Sequence, residues 1–161
     1  MHAIAGIAVA LKKAATPAFQ LNCRQVVANA RALARALTGA GTELVTGGTD
    51  NHLLVIDVMK SYGINGAEAQ ERLERVGIVS NKQVIPDDAL APMRPSGIRL
   101  GTPAATTRGM KEAEMLQIAN WIDTALRGSA PPADIRGIAA EVAALCARFP
   151  PPTLTTRSTT L

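Results

Sequence analysis

Ser96-Gly97-Ile98-Arg99-Leu100-Gly101-Thr102-Pro103-Ala104-Ala105-Thr106-Thr107-Arg108-Gly109 sets one arginine in a short extended stretch just before a helix start. Ile98 to Leu100 reads as a strand. Thr102 and Pro103 follow as N-cap and first helical residue, because a hydroxyl can accept an orphan amide there and proline needs no amide donor at that place. Upstream, Glu43 to Thr46 and Leu53 to Val58 are apolar runs with β-branched residues, joined by Gly47, Gly48, Thr49, Asp50 and Asn51. They read as a β-hairpin with a glycine-rich turn. A further strand is expected near Ile78 to Ser80, which makes four strands in a small sheet.

The rest of the chain is helical by periodicity. Phe19, Cys23, Val26, Val27, Ala30, Leu33 and Leu37 recur at three- and four-residue steps, with Arg24, Arg31 and Arg35 on the other side. Pro17 separates this helix from an Ala-rich one starting near His2, and Gly39 and Gly41 end it. Asn65 caps a helix with Glu68 at capping-box spacing; Ala69, Leu73 and Val76 form its buried stripe, and Gly77 stops it. Two more stripes run through Met115, Ile118, Ala119, Ile122 and Leu126, and through Ile135, Ile138, Val142, Leu145 and Phe149. The pattern predicts an α/β fold of the two-layer α+β kind, a small mostly antiparallel sheet with helices covering one face. Residues 150–161, Pro- and Thr-rich, have little to bury and are expected to be disordered.

Composition narrows the function classes. A chain of 161 residues with 47% hydrophobic residues can build one core, and 2% aromatic content requires that core to be aliphatic. The net charge of +4 raises the question of nucleic acid, but the arginines are spread along the chain and alternate with Glu68, Glu71, Glu74, Glu112 and Glu114. No aromatic residues interleave with them to stack on bases, so no nucleic-acid partner is expected. The apolar run Ala3 to Leu11 is far shorter than the roughly 20 residues of a membrane span, and Lys12 and Lys13 follow it where a secretory signal carries its charges in front. Cys23 and Cys146, far apart, read as reduced thiols in a cytoplasmic protein, and no metal site is expected.

Arg99 is the residue with the most chemistry. A planar guanidinium offers paired donors that match both oxygens of a carboxylate, which fixes orientation as well as supplying charge. On the residues alone, a structural salt bridge to an acidic neighbour is the preferred explanation. Asp50 and His52 could suggest acid–base work, but a turn-forming aspartate and a histidine that satisfies local backbone groups are the preferred reading. Gly47-Gly48 is too short for a phosphate loop, and Thr106, Thr107 and Arg108 read as a polar helix end.

Three stretches, in order, resemble the serine hydroxymethyltransferase family: Gly47-Gly48-Thr49-Asp50-Asn51-His52 with the strand behind it, Val79-Ser80-Asn81-Lys82, and the run around Arg99. The resemblance covers residues 1 to about 149 and corresponds to the carboxyl-terminal third of such an enzyme, the small domain of fold-type I transferases dependent on pyridoxal phosphate (PLP). It implies that Arg99 binds the carboxylate of glycine or serine while a one-carbon unit passes to tetrahydrofolate. Asn81 and Gln83 occupy the folate segment, with Gln83 where the family has an asparagine that contacts the pterin, and Met93-Arg94-Pro95 departs from the family's Phe-Val-Thr and adds Arg94 near the mouth of the site. In the family the cofactor lysine follows a threonine-rich tract ending in His-Lys; the five lysines here are Lys12, Lys13, Lys60, Lys82 and Lys111, none with a histidine before it.

The resemblance therefore implies no catalytic and no PLP-binding residue on this chain, and no turnover by the chain alone. Residues 1–16 are expected to link to a PLP-binding large domain, and Met1-His2-Ala3-Ile4-Ala5 resembles a Met-His-x-Ile-Ala that is internal in the full enzyme. A homo-oligomer is the family's habit. The alternative is a non-catalytic module that docks through the apolar helix His2 to Leu11 on a large domain or a full-length relative; a free-standing ligand-binding domain is a third reading.

Overall fold

The computed structural model describes residues 1–129 and 131–152, with seven helices and three strands in the order α1 (His2–Ala14), α2 (Pro17–Gly39), β1 (Leu53–Asp57), α3 (Val58–Tyr62), α4 (Gly66–Arg75), β2 (Asn81–Gln83), β3 (Gly97–Gly101), α5 (Pro103–Thr107), α6 (Glu112–Arg127) and α7 (Pro132–Arg148). The expected fold class holds: the sheet is antiparallel in the order β1-β3-β2, and helices cover one face. The tail from residue 153 onward, expected to be disordered, lies outside the described residues.

Alternation along the strands sorts their side chains between the layers. Leu54, Ile56, Ile98 and Leu100 face the helices and are buried, meeting Leu33 and Leu37 of α2, Leu73 of α4, and Met115, Ile122 and Leu126 of α6. The core is aliphatic, as the composition requires; Trp121 is its one buried aromatic side chain among the described residues. Three polar ties fix the helices to each other. Asn29, fully buried on α2, donates to the Thr106 hydroxyl (2.8 Å) and the Met110 carbonyl (2.9 Å). Tyr62 donates to Asp123 of α6 (3.1 Å) and shares a 2.7 Å hydrogen bond with Thr42. Trp121 donates to Glu141 of α7 (2.7 Å).

Several expected elements change on folding. Glu43 to Thr46 is no strand: Leu44 makes a single antiparallel bridge to Ile56, after which the Gly47 amide turns back to the Leu44 carbonyl. The Thr49 and Asn51 side chains then take the Leu53 carbonyl and amide, so the hairpin ladder has nothing left to pair with at that end. The strand expected at Ile78 to Ser80 lies three residues further on, because Gly77 in the left-handed conformation lets the Ile78 amide close α4 onto the Leu73 carbonyl. Strand count among the described residues is accordingly three, and of the two edge strands β2 is polar, which discourages pairing with another sheet there. Asn65 caps α4 as expected, accepting from the Ala67 and Glu68 amides, but Glu68 turns to Arg72 (2.7 Å). Thr102 precedes α5 without capping it; its hydroxyl donates to the Val26 carbonyl (2.8 Å) and ties the end of β3 to α2.

Helix α1 has no buried residue. Ile4, Ile7, Val9 and Leu11 are all more than half exposed, and Leu21 on α2 continues the apolar surface.

Candidate functional site

Arg99 sits in the middle of the central strand. Its Cα partners are Val55 of β1 on one side and Asn81 of β2 on the other, and directly opposed residues project to the same side of a sheet. Arg99 and Asn81 are exposed, and they share the face turned away from the helices.

Both ends of β3 are pinned. Asp88 accepts from the Ser96 amide (2.9 Å) and hydroxyl (2.6 Å), and also from the Leu90 (3.0 Å) and Ile85 (3.3 Å) amides. These donors, the Ser96 hydroxyl first, stabilise the carboxylate and hold its pKa down to about 2. The Ser96 carbonyl accepts from the Val58 and Met59 amides at the start of α3. Gly97 has no room for a side chain: a β-carbon there would lie 2.7 Å from the Gln83 carbonyl oxygen. At the other end the Thr102 amide donates to the His52 carbonyl (3.0 Å). Nothing in the sequence motifs pointed to Asp88, though Pro86-Asp87-Asp88 is a turn signal and the Asp88 side chain takes the local amides such a turn leaves free.

An open cleft of about 340 Å³ beside the strand is lined by His52, Leu53, Val79, Ser80, Asn81, Arg99, Leu100 and Gly101. No carboxylate of the described residues lines it. The five ion pairs among the described residues are Arg31–Asp50, Lys60–Glu43, Arg72–Glu68, Arg75–Glu71 and Arg127–Asp123. Arg99 is in none of them and makes no side-chain hydrogen bond among those residues, so the structural salt bridge that would explain it blandly does not form. Its guanidinium faces solvent with its donors free, and that arrangement can take an anion.

The other expected site residues divide. Asn81 lines the cleft beside Arg99. Gln83 is two residues along the same strand, does not line the cleft, and donates to the neighbouring Val84 carbonyl (2.9 Å). Arg94, expected near the mouth, instead lines a separate cleft over α4 with Arg72 and Arg75. Asp50 and His52 do not form a pair: Asp50 meets Arg31 at 3.1 Å, and the imidazole has no hydrogen-bond partner among the described residues. The histidine satisfies backbone groups only through its own carbonyl. Ser80 was no candidate in the sequence; its hydroxyl is buried at the cleft and is the one buried side-chain polar atom without a partner among the described residues.

Against known proteins, the serine hydroxymethyltransferase family model matches residues 1–122. The chain belongs to the serine hydroxymethyltransferase family. A serine hydroxymethyltransferase of Sorangium cellulosum is 51% identical over 151 residues, covering 94% of this chain and 36% of the relative. That of Acidobacterium capsulatum is 49% identical over 150 residues, 93% of this chain and 35% of the relative. Serine hydroxymethyltransferase 2 of Mesorhizobium japonicum is 46% identical over 157 residues, 98% of this chain and 36% of the relative. The chain thus spans about a third of the length of these hydroxymethyltransferases, as a carboxyl-terminal segment of the family. The match to nearly the whole chain includes both strands that flank Arg99.

The five lysines of this chain lie outside the Arg99 cleft. Lys60 is held by Glu43 (2.7 Å), Lys82 donates to the Met93 carbonyl (3.3 Å), Lys12 and Lys13 lie in the last turn of α1, and Lys111 precedes α6. No helix among the described residues is long and apolar enough to cross a membrane.

Proposed function

We propose that this chain is the substrate-carboxylate segment of a cytoplasmic serine hydroxymethyltransferase, which interconverts serine with tetrahydrofolate and glycine with 5,10-methylenetetrahydrofolate. The observation that carries the reading is the unpaired Arg99 on the rigid central strand. A guanidinium whose donors are not committed among the described residues, and whose strand is pinned at both ends, is preorganised for a planar carboxylate. Asn81, opposite it, adds an amide that can hold a second polar group of the ligand. Gln83 belongs to the folate contact only by sequence position, and its turn toward Val84 makes it the weaker candidate. PLP, with its lysine, belongs to the remaining part of the enzyme and supplies the electron sink; this chain contributes orientation, and alone it turns nothing over.

The test is a fusion of this chain to the amino-terminal part of the Sorangium relative, assayed for serine cleavage with tetrahydrofolate. Truncating a charged hydrogen-bonding group costs about 1.5 to 3 kcal/mol, so Arg99→Ala should lower kcat/KM roughly 10- to 150-fold. Arg99→Lys keeps charge without the fork and should fall between. An Arg99→Ala fusion as active as its parent refutes the assignment.

A second reading, a module that docks on a large domain of a relative, rests on α1. A helix whose aliphatic side chains are all exposed lowers its free energy by covering them, at about 25 cal/mol per Å² of apolar surface. Co-purification of the chain with a separately made amino-terminal part supports docking; a monodisperse mixture of the two counts against it.

A further inference from the structure

We propose that His52 is a second anion-binding group of the Arg99 cleft, seating a carboxylate between imidazole and guanidinium and gripping it more tightly when the imidazole is protonated. The inference rests on the reading of Arg99 as a carboxylate clamp and extends it to a residue on a different element.

Four observations converge on His52. It lines the same cleft as Arg99. Its imidazole is exposed and has no hydrogen-bond partner among the described residues, so both ring nitrogens are available. Its backbone is fixed, because its carbonyl accepts from the Thr102 amide (3.0 Å) and the following Leu53 pairs with Gly101 of β3. A side chain that is free at its tip and anchored at its root can reach a ligand without ordering a loop.

The fourth observation is electrostatic. Charged groups on each surrounding element are turned elsewhere: Asp50 of the preceding loop to Arg31 of α2, Lys82 of β2 to the Met93 carbonyl, and Arg108 beyond α5 to the Phe149 and Cys146 carbonyls. Among the described residues Arg99 and His52 are the only titratable side chains that line the cleft, and neither meets a carboxylate there. Two cationic or potentially cationic donors with no counter-ion among the described residues leave the countercharge to a ligand. A carboxylate suits the pair: the guanidinium fork takes one lone pair from each oxygen, and the remaining lone pairs are open to an imidazole N–H and to the Asn81 amide. Protonating the imidazole converts a neutral hydrogen bond into a charge-assisted one. At exposed sites such a gain corresponds to about two- to fivefold in affinity.

The experiment is an NMR titration of the 161-residue chain with N-acetylglycine at about pH 5.5 and pH 7.5, on either side of the ordinary histidine range. It reads the His52 Cε1–H and Arg99 Nε–H signals, with N-acetylglycinamide as the uncharged control. The expected result is that both signals move with one saturation curve, that the dissociation constant is about two- to fivefold lower at the lower pH, and that the amide control moves neither. His52→Gln, which keeps a donor without a titrating charge, should abolish the pH dependence and leave the Arg99 response. If Arg99 responds with the same affinity at both pH values while His52 is silent, the inference fails and the clamp reading stands. If neither signal responds to the carboxylate, both fall.

Discussion

Substituting alanine for Gly66 should unfold this domain more readily, although glycine-to-alanine changes in helices ordinarily stabilise. Gly66 is the first residue of α4, and its amide donates to the Pro95 carbonyl at 2.6 Å, which draws the helix start against the strand that carries Arg99. A β-carbon built on Gly66 lands on the Gly97 carbonyl oxygen and lies 3.1 Å from the Pro95 carbonyl oxygen. Both obstacles are backbone, so relief requires moving α4 or β3 rather than rotating a side chain. Overpacking of this kind costs about 1 to 3 kcal/mol, with the lost Gly66–Pro95 hydrogen bond adding about 1 kcal/mol if α4 retreats. Against this stands a conformational-entropy gain of about 0.4 to 1 kcal/mol. The net is a loss of about 1 to 3 kcal/mol, or a fall of roughly 1 M in the urea midpoint. The single tryptophan, Trp121, is 4% exposed and reports unfolding by fluorescence. Gly137→Ala is the control: Gly137 is exposed within α7, a β-carbon there would meet nothing within 4 Å, and the change should raise stability by about 0.5 to 1 kcal/mol. If Gly66→Ala is as stable as wild type, the close approach of α4 to β3 is wrong, and with it the account of what holds Arg99 in place.

Further outcomes follow from the buried polar ties. Asn29→Ala leaves the Met110 carbonyl and the Thr106 hydroxyl short of a donor in a fully buried site and should cost about 2 to 4 kcal/mol in urea denaturation; a loss below about 0.5 kcal/mol would deny the tie its role. The chain has one tyrosine, so its ultraviolet titration reads Tyr62 directly: burial, opposed by the Thr42 hydrogen bond and aided by Asp123, pushes the phenol up to about 12. The folded protein should therefore ionise near 12 and the unfolded chain near 10, with the associated stability full below pH 10 and lost as pH rises through 12; a folded midpoint near 10 would contradict the packing of Tyr62. Asp88 has the opposite sign. Its depressed pKa gives stability that is present above about pH 4 and lost as pH falls through about 2, so Asp88→Asn should flatten the acid limb of stability in that window; equal slopes for the two proteins would remove the clamp on Ser96.

What the sequence disclosed and what it withheld have physical explanations. The helices were legible because their apolar stripes persist over several turns: Leu37, Leu73, Ile122 and Leu145 are buried, although Phe19 and Cys23 at the start of the expected α2 stripe are exposed. The strand around Arg99 was legible from a short apolar run followed by Pro103. The edge strand was misplaced because Asn81, Lys82 and Gln83 carry no apolar signal, and only the pairing of their backbone with Gly97 to Arg99 makes them a strand. The hairpin was overread because Thr49 and Asn51 compete for the Leu53 backbone, a contest that alternation of apolar residues does not register. At the site, motif resemblance singled out Arg99 and Asn81, which the sheet places opposite each other. It put Arg94 in the same neighbourhood, whereas the structure sets Arg94 beside Arg72 and Arg75 over α4. Asp88 and the freedom of His52 depend on which groups meet across the fold, and a single sequence does not carry that information.

The central claim is that this segment works as part of a PLP enzyme, and the most direct measurement is the intact mass of the protein captured from its source cells with an antibody against residues 1–129, after borohydride reduction. A mass well above 16.8 kDa, with a pyridoxyl group on a lysine outside this sequence, is the expected result. A 16.8 kDa protein with no pyridoxyl group would contradict it and leave the docking module as the reading to pursue.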